Sequence, residues 1–272
     1  MKNENADYTA AAASPAGRFA PPSVLATLAR LAAAVLCGLP LVAGAACDDP
    51  PQRQVNWRGC DKRGLSLQGV DLENAVLIRA NFAGADLSGA RLSGADLSFA
   101  DLGGVQARQA RLAGARLLGA QLQGADLRGA SLDGVAADRA DLSRALLSGA
   151  QLRKASLYQS DLREADLEAA DLADADLKQA VLSRARLPGA LLTRAVLDGA
   201  NLEHALLAGA HMERAQLHRT RLSFADLSNA DLSRASLAES ELFETNFSGA
   251  RLGGATWVDR SRCPLDAVTR CR

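Results

Sequence analysis

Leucine or another large apolar residue falls at nearly every fifth position from Leu67 to Leu252, with no insertion or deletion to break the count. Alanine stands two residues ahead of it, as in Ala85-Asp86-Leu87-Ser88-Gly89 and Ala125-Asp126-Leu127-Arg128-Gly129. The run holds 38 consecutive units, 33 of them with Leu at the centre, so the period is a property of the fold and not a local accident. That period excludes the two ordinary elements. On an α-helix, residues five apart are rotated by roughly 140°, which smears the leucines around the circumference. On a continuous strand, side chains five apart point to opposite faces. The chain must therefore turn once per unit, which makes it a solenoid.

The composition of the unit follows from that turn. For Leu87 and Ala85 both to point inward, the unit needs one short extended piece with alternating side chains. Asp86 then faces out, and Ser88-Gly89 makes the corner. Gly recurs at that last position (Gly84, Gly89, Gly94, Gly114), as a turn needing permissive φ favours. Small Ala beside large Leu lets the sides meet around a narrow axis at close-packed density. Two irregular units obey the same logic. Ala107 and Ala137 replace the central Leu, and each is preceded two residues earlier by Val (Val105, Val135) where Ala is the rule. Volume has moved between the inward positions of one unit, which avoids a cavity worth ~2–5 kcal/mol. Aromatics make up only 4% of the chain, in keeping with an axis too narrow for rings.

The units, with slots filled as Ala85, Asp86 or Asn81, and Leu87 or Phe82, resemble those of the pentapeptide repeat family over about residues 65–256. The resemblance implies an all-β fold, a right-handed quadrilateral parallel β-helix in which four units make one coil. The 38 units then give about nine and a half coils, a rod roughly 45 Å long at ~4.8 Å per coil.

The flanks divide the rest of the chain. Residues 1–30 are Ala, Pro and polar residues with Lys2, Arg18 and Arg30, and read as disordered. The apolar run Leu31 to Ala46 ends in small residues with an Ala43-Gly44-Ala45 cleavage signal, so residues 1–45 read as an n-region plus secretory signal. The run is short for a transmembrane helix, which takes about 20 residues. Membrane attachment is left to an uncleaved leader or to a lipidated Cys47, although Gly44 stands where a lipoprotein signal has leucine. Cys37 lies inside the signal. The other four cysteines bracket the array, Cys47 and Cys60 in an N-terminal cap of residues 46–64 and Cys263 and Cys271 in a C-terminal cap of residues 257–272. An even number confined to the flanks suits disulfides in an oxidising compartment. Local pairing, Cys47 with Cys60 and Cys263 with Cys271, is favoured because the ends of a rod lie far beyond disulfide reach. A solenoid also needs atypical ends to prevent stacking, and Trp57 and Trp257 read as lids.

Chemistry can be sought by column: with four units per coil, position n stacks beneath n+20 and lies on the side opposite n+10. His204, His211 and His218 fall on three different sides and do not converge on one metal ion, so they read as solvated surface histidines. Asp161, Asp166, Asp171 and Asp176 circle one coil and point apart, which suits turn support better than calcium or paired catalytic carboxylates. Ser160, Thr220 and Ser240 take inward positions in one column, and their hydroxyls are expected to bond to each other or to the backbone. No Ser/His/Asp constellation, phosphate-binding Gly loop or cofactor fingerprint is visible, so neither catalysis nor a cofactor is expected. One column stands out: Lys154, Arg194, Arg214 and Arg234, with Asp174 between the first two, form a basic stripe able to hold an acidic partner or phosphate. Glu213, Glu239 and Glu244 are the acids expected to balance it. The outer apolar residues Val181, Leu191, Val196 and Leu206 circle the rod and make no single patch.

The resemblance brings a known activity, mimicry of duplex DNA that protects type II topoisomerases, which depends on a strongly acidic surface. Here 31 basic residues face 31 acidic ones. Without residues 1–45, which hold Lys2, Arg18 and Arg30 against Glu4 and Asp7, the balance is 28 to 29. A near-neutral rod does not reproduce the field of a phosphate backbone. No nucleic-acid partner is expected either. The reading that remains is a non-enzymatic scaffold or adaptor, exported to the periplasm or bacterial cell envelope, that binds a protein partner or itself through a rigid β-helical surface. The alternatives are the DNA mimic and a purely structural envelope stress protein.

Overall fold

The computed structural model describes residues 46–271, so the leader, its cleavage signal and Cys37 lie outside the described residues. From Asn56 onward the backbone repeats one move, unit after unit. Parallel bridges join each outward residue to its equivalent four units later, from Asn56 with Val76, through Asp86 with Gln106, to Ser236 with Thr256. Four units therefore close one coil and make its four sides. Each side is a single-residue bridge, which corrects the short strand expected there. The reason is that the corner consumes the residues flanking it.

The unit Asp86 to Ala90 shows how every backbone N–H finds a partner. Asp86 N–H donates down to the Leu65 carbonyl at 2.9 Å, and Leu87 N–H donates up to the Gln106 carbonyl at 2.6 Å. Ser88 N–H is satisfied by the Asp86 carboxylate at 3.0 Å. Gly89 N–H reaches the Arg108 carbonyl at 2.8 Å, and Ala90 N–H closes the turn on the Leu87 carbonyl at 2.9 Å. The Asp or Asn before the centre thus serves the one amide the ladder cannot reach, and a buried amide left open is costly. Asp161, Asp166, Asp171 and Asp176 all do this, each accepting the N–H two residues on.

The corner residue after that amide sits in the left-handed region throughout. Gly89 holds φ 66°, while Lys154, Arg194 and Phe224 hold φ 56°, 60° and 62° without glycine's freedom. Left-handed backbone costs an L-residue roughly 1–2 kcal/mol, so the fold carries distributed strain that the axis must offset. The axis is dry: Ala85, Leu172, Leu192 and Met212 are fully buried, and the compensating pairs Val105/Ala107 and Val135/Ala137 are buried as well. The inward hydroxyls return to the backbone. Ser160 Oγ donates to the Leu157 carbonyl at 2.8 Å and Thr220 Oγ1 to the Leu197 carbonyl at 2.9 Å. Ser240 Oγ donates to the Leu217 carbonyl and also accepts from Thr220 N–H.

The ends depart from simple lids. Val55, Trp57 and Cys60 already occupy inward slots and the ladder begins at Asn56, so the array starts before residue 65. Trp57 is buried in a central slot, and its Nε1–H donates to the Asp49 carbonyl at 3.2 Å. Lys62 fills the next centre; its ammonium lies 3.9 Å over the Trp57 ring and donates to the Cys47 carbonyl at 2.5 Å. Cys47 and Cys60 are bonded with Cα atoms 5.4 Å apart. A lipid thioether on Cys47 and this bond exclude each other. At the other end the chain reverses. Arg251 pairs with Val268 and Thr256 with Arg262, both antiparallel, so the tail lies across two sides of the last coil. Gly253 permits that crossing, because a Cβ there would run into the Leu265 carbonyl. Cys263 and Cys271 are bonded with Cα atoms 4.7 Å apart, and the half-buried Trp257 ring lies 5.5 Å from Phe247.

Leu172→Ala, at a fully buried centre, should destabilise the protein by about 3 kcal/mol in urea unfolding. Leu191→Ala, at an outward position 39% exposed, should shift stability by less than about 1 kcal/mol. Gly89→Ala should cost about 1 kcal/mol from backbone conformation alone, because its added Cβ meets nothing within 4 Å.

Candidate functional site

Side chains outside the axis meet along two main directions fixed by the coil. Straight up a column, residue n meets n+20: Arg144 Nε lies 2.9 Å from Glu164, and both Arg194 donors lie 2.6 Å from Asp174. On the diagonal, the residue just after a centre meets the residue just before the centre above, which is n+18. Glu73 holds Arg91 at 2.6 Å, Arg108 holds Asp126 at 2.7 Å and Glu203 holds Arg221 at 2.5 Å this way. Acids pair with bases along both directions, so the surface is zippered rather than acidic.

The basic stripe divides under this rule. Lys154, Asp174, Arg194, Arg214 and Arg234 do share a column, all with left-handed backbone. Asp174 chelates Arg194, and its carboxyl is held below the usual range by that guanidinium. Glu239 does not balance the stripe, because it sits on another corner bound to Arg260 and Arg219. Glu213 is taken up by Thr193 at 3.1 Å. Lys154, Arg214 and Arg234 are the stripe's remaining cations, the two arginines facing an open hollow that Leu265 of the tail also lines.

The histidines do lie apart, and among the described residues no group of three or more His, Cys, Asp or Glu side chains could hold a metal ion. They are not all simply solvated. His204 stacks on Phe224 with centroids 4.9 Å apart, and Phe224 meets Phe243 edge-on at 5.4 Å. Phe224 is 44% exposed and Phe243 64%, so this corner presents an aromatic cluster that the column search overlooked. His218 is engaged on both ring nitrogens, Nδ1 2.9 Å from Asp198 Oδ1 and Nε2 2.8 Å from Ser236 Oγ. A Ser/His/Asp constellation therefore exists, against expectation. Asp198 to His218 is a column step of 20 and His218 to Ser236 a diagonal step of 18, so the diagonal spacing is the signal that finds it. The three residues line an open hollow of about 610 Å³ together with Arg219, Glu239 and Arg260.

Ion pairing depresses several carboxyls. Arg260 and then Arg219 hold Glu239 at about 2, from an ordinary 4.5. Arg63 holds Asp61 at about 2. Arg128, with Arg108 behind it, holds Asp126 well below the usual range against the opposing effect of its burial. A carboxyl whose folded value is depressed stabilises the fold above its unfolded value and loses that stabilisation as pH falls. The urea midpoint should therefore be flat above about pH 5 and fall steadily towards about pH 2. In Glu239→Gln the fall should be shallower, measured by the same titration.

Comparison with known proteins fits this geometry. Pentapeptide repeats match in eight copies over residues 63–94, 90–129, 125–163, 160–199, 195–234 and 220–256. No curated protein matches the chain. Among solved structures, it is similar to HetL, a pentapeptide repeat protein involved in heterocyst differentiation regulation from the cyanobacterium Nostoc. That likeness has 33% identity and a TM-score of 0.56, and covers 77% of this chain and 92% of HetL. It shares a fold with QnrB1, a plasmid-mediated fluoroquinolone resistance protein, at 17% identity and TM-score 0.53 over 73% of this chain and 94% of QnrB1. With its five-residue period, its four-unit coil and this match across residues 63–256, the chain belongs to the pentapeptide repeat family.

Proposed function

We propose that this protein is a right-handed, disulfide-capped rod exported to the bacterial cell envelope, where it binds a protein partner as a scaffold or adaptor. The observation that carries the reading is the corner formed by His204, Phe224 and Phe243, stacked and edge-on yet largely exposed. Exposed aromatic clusters on rigid supports are where protein interfaces concentrate binding energy. Here the support is the ladder itself, since Phe224 N–H donates to the Phe243 carbonyl at 2.8 Å. Export is supported by the Leu31 to Ala46 segment and by cysteines paired only in the flanks. HetL's involvement in differentiation regulation suits a binding role. Mimicry of DNA is set aside, because the acids here are interleaved with arginines along both surface directions.

The test is affinity capture from envelope extracts with the full chain, compared with a Phe224→Ser/Phe243→Ser double variant. A reproducible partner, or a second copy of the chain, should be retained by the wild type and bound at least about tenfold more weakly by the variant. Wild-type protein that captures nothing, itself included, defeats the reading. Fractionation of the same cells checks export, with recovery in the cytoplasm as the adverse result.

A further inference from the structure

We propose that Ser236 is a nucleophile, with His218 as its general base and Asp198 as the residue that positions His218, and that the hollow above it takes small carboxylic esters. This goes beyond the scaffold reading and does not depend on it. The chemistry of the three groups fixes the direction of their hydrogen bonds. Asp198 Oδ1 accepts the backbone N–H of His218 at 2.9 Å as well as the ring, so the carboxylate is held by two bonds. A carboxylate cannot donate, so Nδ1 carries a proton, and when the ring is neutral Nε2 is the acceptor. Ser236 Oγ–H then donates to Nε2 across 2.8 Å. That is the protonation pattern required of a base poised on a hydroxyl. Among the described residues, Ser236 Oγ has no other hydrogen-bond partner.

The site is also reachable. Ser236, His218 and Asp198 line a hollow of about 610 Å³, within the ~300–1,000 Å³ typical of small-ligand sites. Ala238 and Thr256 supply apolar surface beside the serine, which suits a short acyl group. Arg219 and Arg260 line the same hollow, both held by Glu239, so the chemistry of oxyanion stabilisation is present in its wall. In the reaction, the Ser236 hydroxyl proton passes to His218 Nε2 as Oγ bonds to the ester carbonyl carbon. The tetrahedral adduct collapses, the C–O bond to the alcohol breaks, and the departing alkoxide takes the proton from Nε2. Water then attacks the acyl-serine carbonyl, giving its proton to Nε2. The carboxylic acid leaves as Ser236 Oγ recovers that proton. The His218 side chain is 43% exposed, so water competes with the base and serine acylation is a better readout than turnover.

The fold supplies its own control. Ser156 occupies the same column as Ser236 and stands on the same diagonal, but its Oγ donates directly to Asp138 with no imidazole between them. The full-length protein is treated with a fluorophosphonate and, separately, with p-nitrophenyl acetate, and adducts are mapped by mass spectrometry. One adduct is expected, on Ser236, with Ser156 unmodified. Ser236→Ala should abolish it, and His218→Gln should slow it at least about tenfold, in line with the ~10²–10⁴ range of general-base catalysis. Asp198→Asn should also slow it, with partial recovery in Asp198→Glu, while circular dichroism and urea midpoints stay at wild-type values. Absence of a Ser236 adduct, an undiminished rate in His218→Gln, or equal modification of Ser156 overturns the proposal. Recovery failing in Asp198→Glu removes the positioning role of Asp198. Partner capture by Ser236→Ala protein should be unchanged, which keeps this result separate from that of the scaffold test.

Discussion

The backbone of this protein can turn a corner in every unit only because a dry axis of leucine and alanine holds the four sides together. Each corner places one residue in the left-handed region, and many of those residues, Arg144 and Phe224 among them, are not glycine. An isolated unit would relax, since left-handed backbone costs an L-residue roughly 1–2 kcal/mol. What keeps it in place is repetition. Below the last coil, the centre N–H of each unit is bonded to the coil above while its side chain fills the axis. No unit buries its leucine alone, so the fold is a collective property of stacked neighbours. The same dependence explains why the two central alanines are matched by valines in their own units: the axis tolerates transfer of volume but not its loss.

The ladder that satisfies the backbone also dictates which surface side chains can meet. With a rise of ~4.8 Å per coil, neighbours on successive coils come within hydrogen-bond range mainly up a column or across one diagonal, and within a unit the residue after a centre can reach back to the residue before it, as Arg128 does to Asp126. Most surface ion pairs between coils obey this, from the Asp174–Arg194 chelate to the Glu203–Arg221 pair. A solenoid therefore displays short linear arrays, and chemistry can form wherever suitable residues fall one column step and one diagonal step apart. Asp198, His218 and Ser236 meet that condition. Judged only by which side of the rod they occupy, the three histidines have no shared site; judged by diagonal neighbours, one of them bridges a carboxylate and a hydroxyl.

Much of the fold was legible because five-residue periodicity has so few physical solutions. The inward Ala and Leu positions, the turn-supporting role of Asp161, Asp166, Asp171 and Asp176, and the backbone bonding of the inward hydroxyls followed from which side each residue must face. The ends were less legible. Trp57 reads as a lid, whereas it occupies a central slot, because Val55 and Asn56 already obey the repeat geometry without its consensus residues. The reversal of the tail onto Arg251 and Thr256 had no periodic signature at all. Partners of individual charges were likewise invisible, and Glu239 serves Arg260 and Arg219 rather than the stripe beside it in the chain.

Sequence alone determined that the chain turns once every five residues, which residues face the axis, and that the cysteines after the leader stand only near its two ends. These are matters of period and volume, and they survive without knowledge of any contact. The tertiary structure decided the single-residue sides, the antiparallel closure of the C-terminal end, the aromatic corner at Phe224, and the chain of hydrogen bonds through His218. Each depends on which residues of successive coils are brought within reach of one another, and for the hydrogen bonds that means about 3 Å. The stagger between coils sets this, n to n+20 along a column and n to n+18 across it, and no single unit contains it.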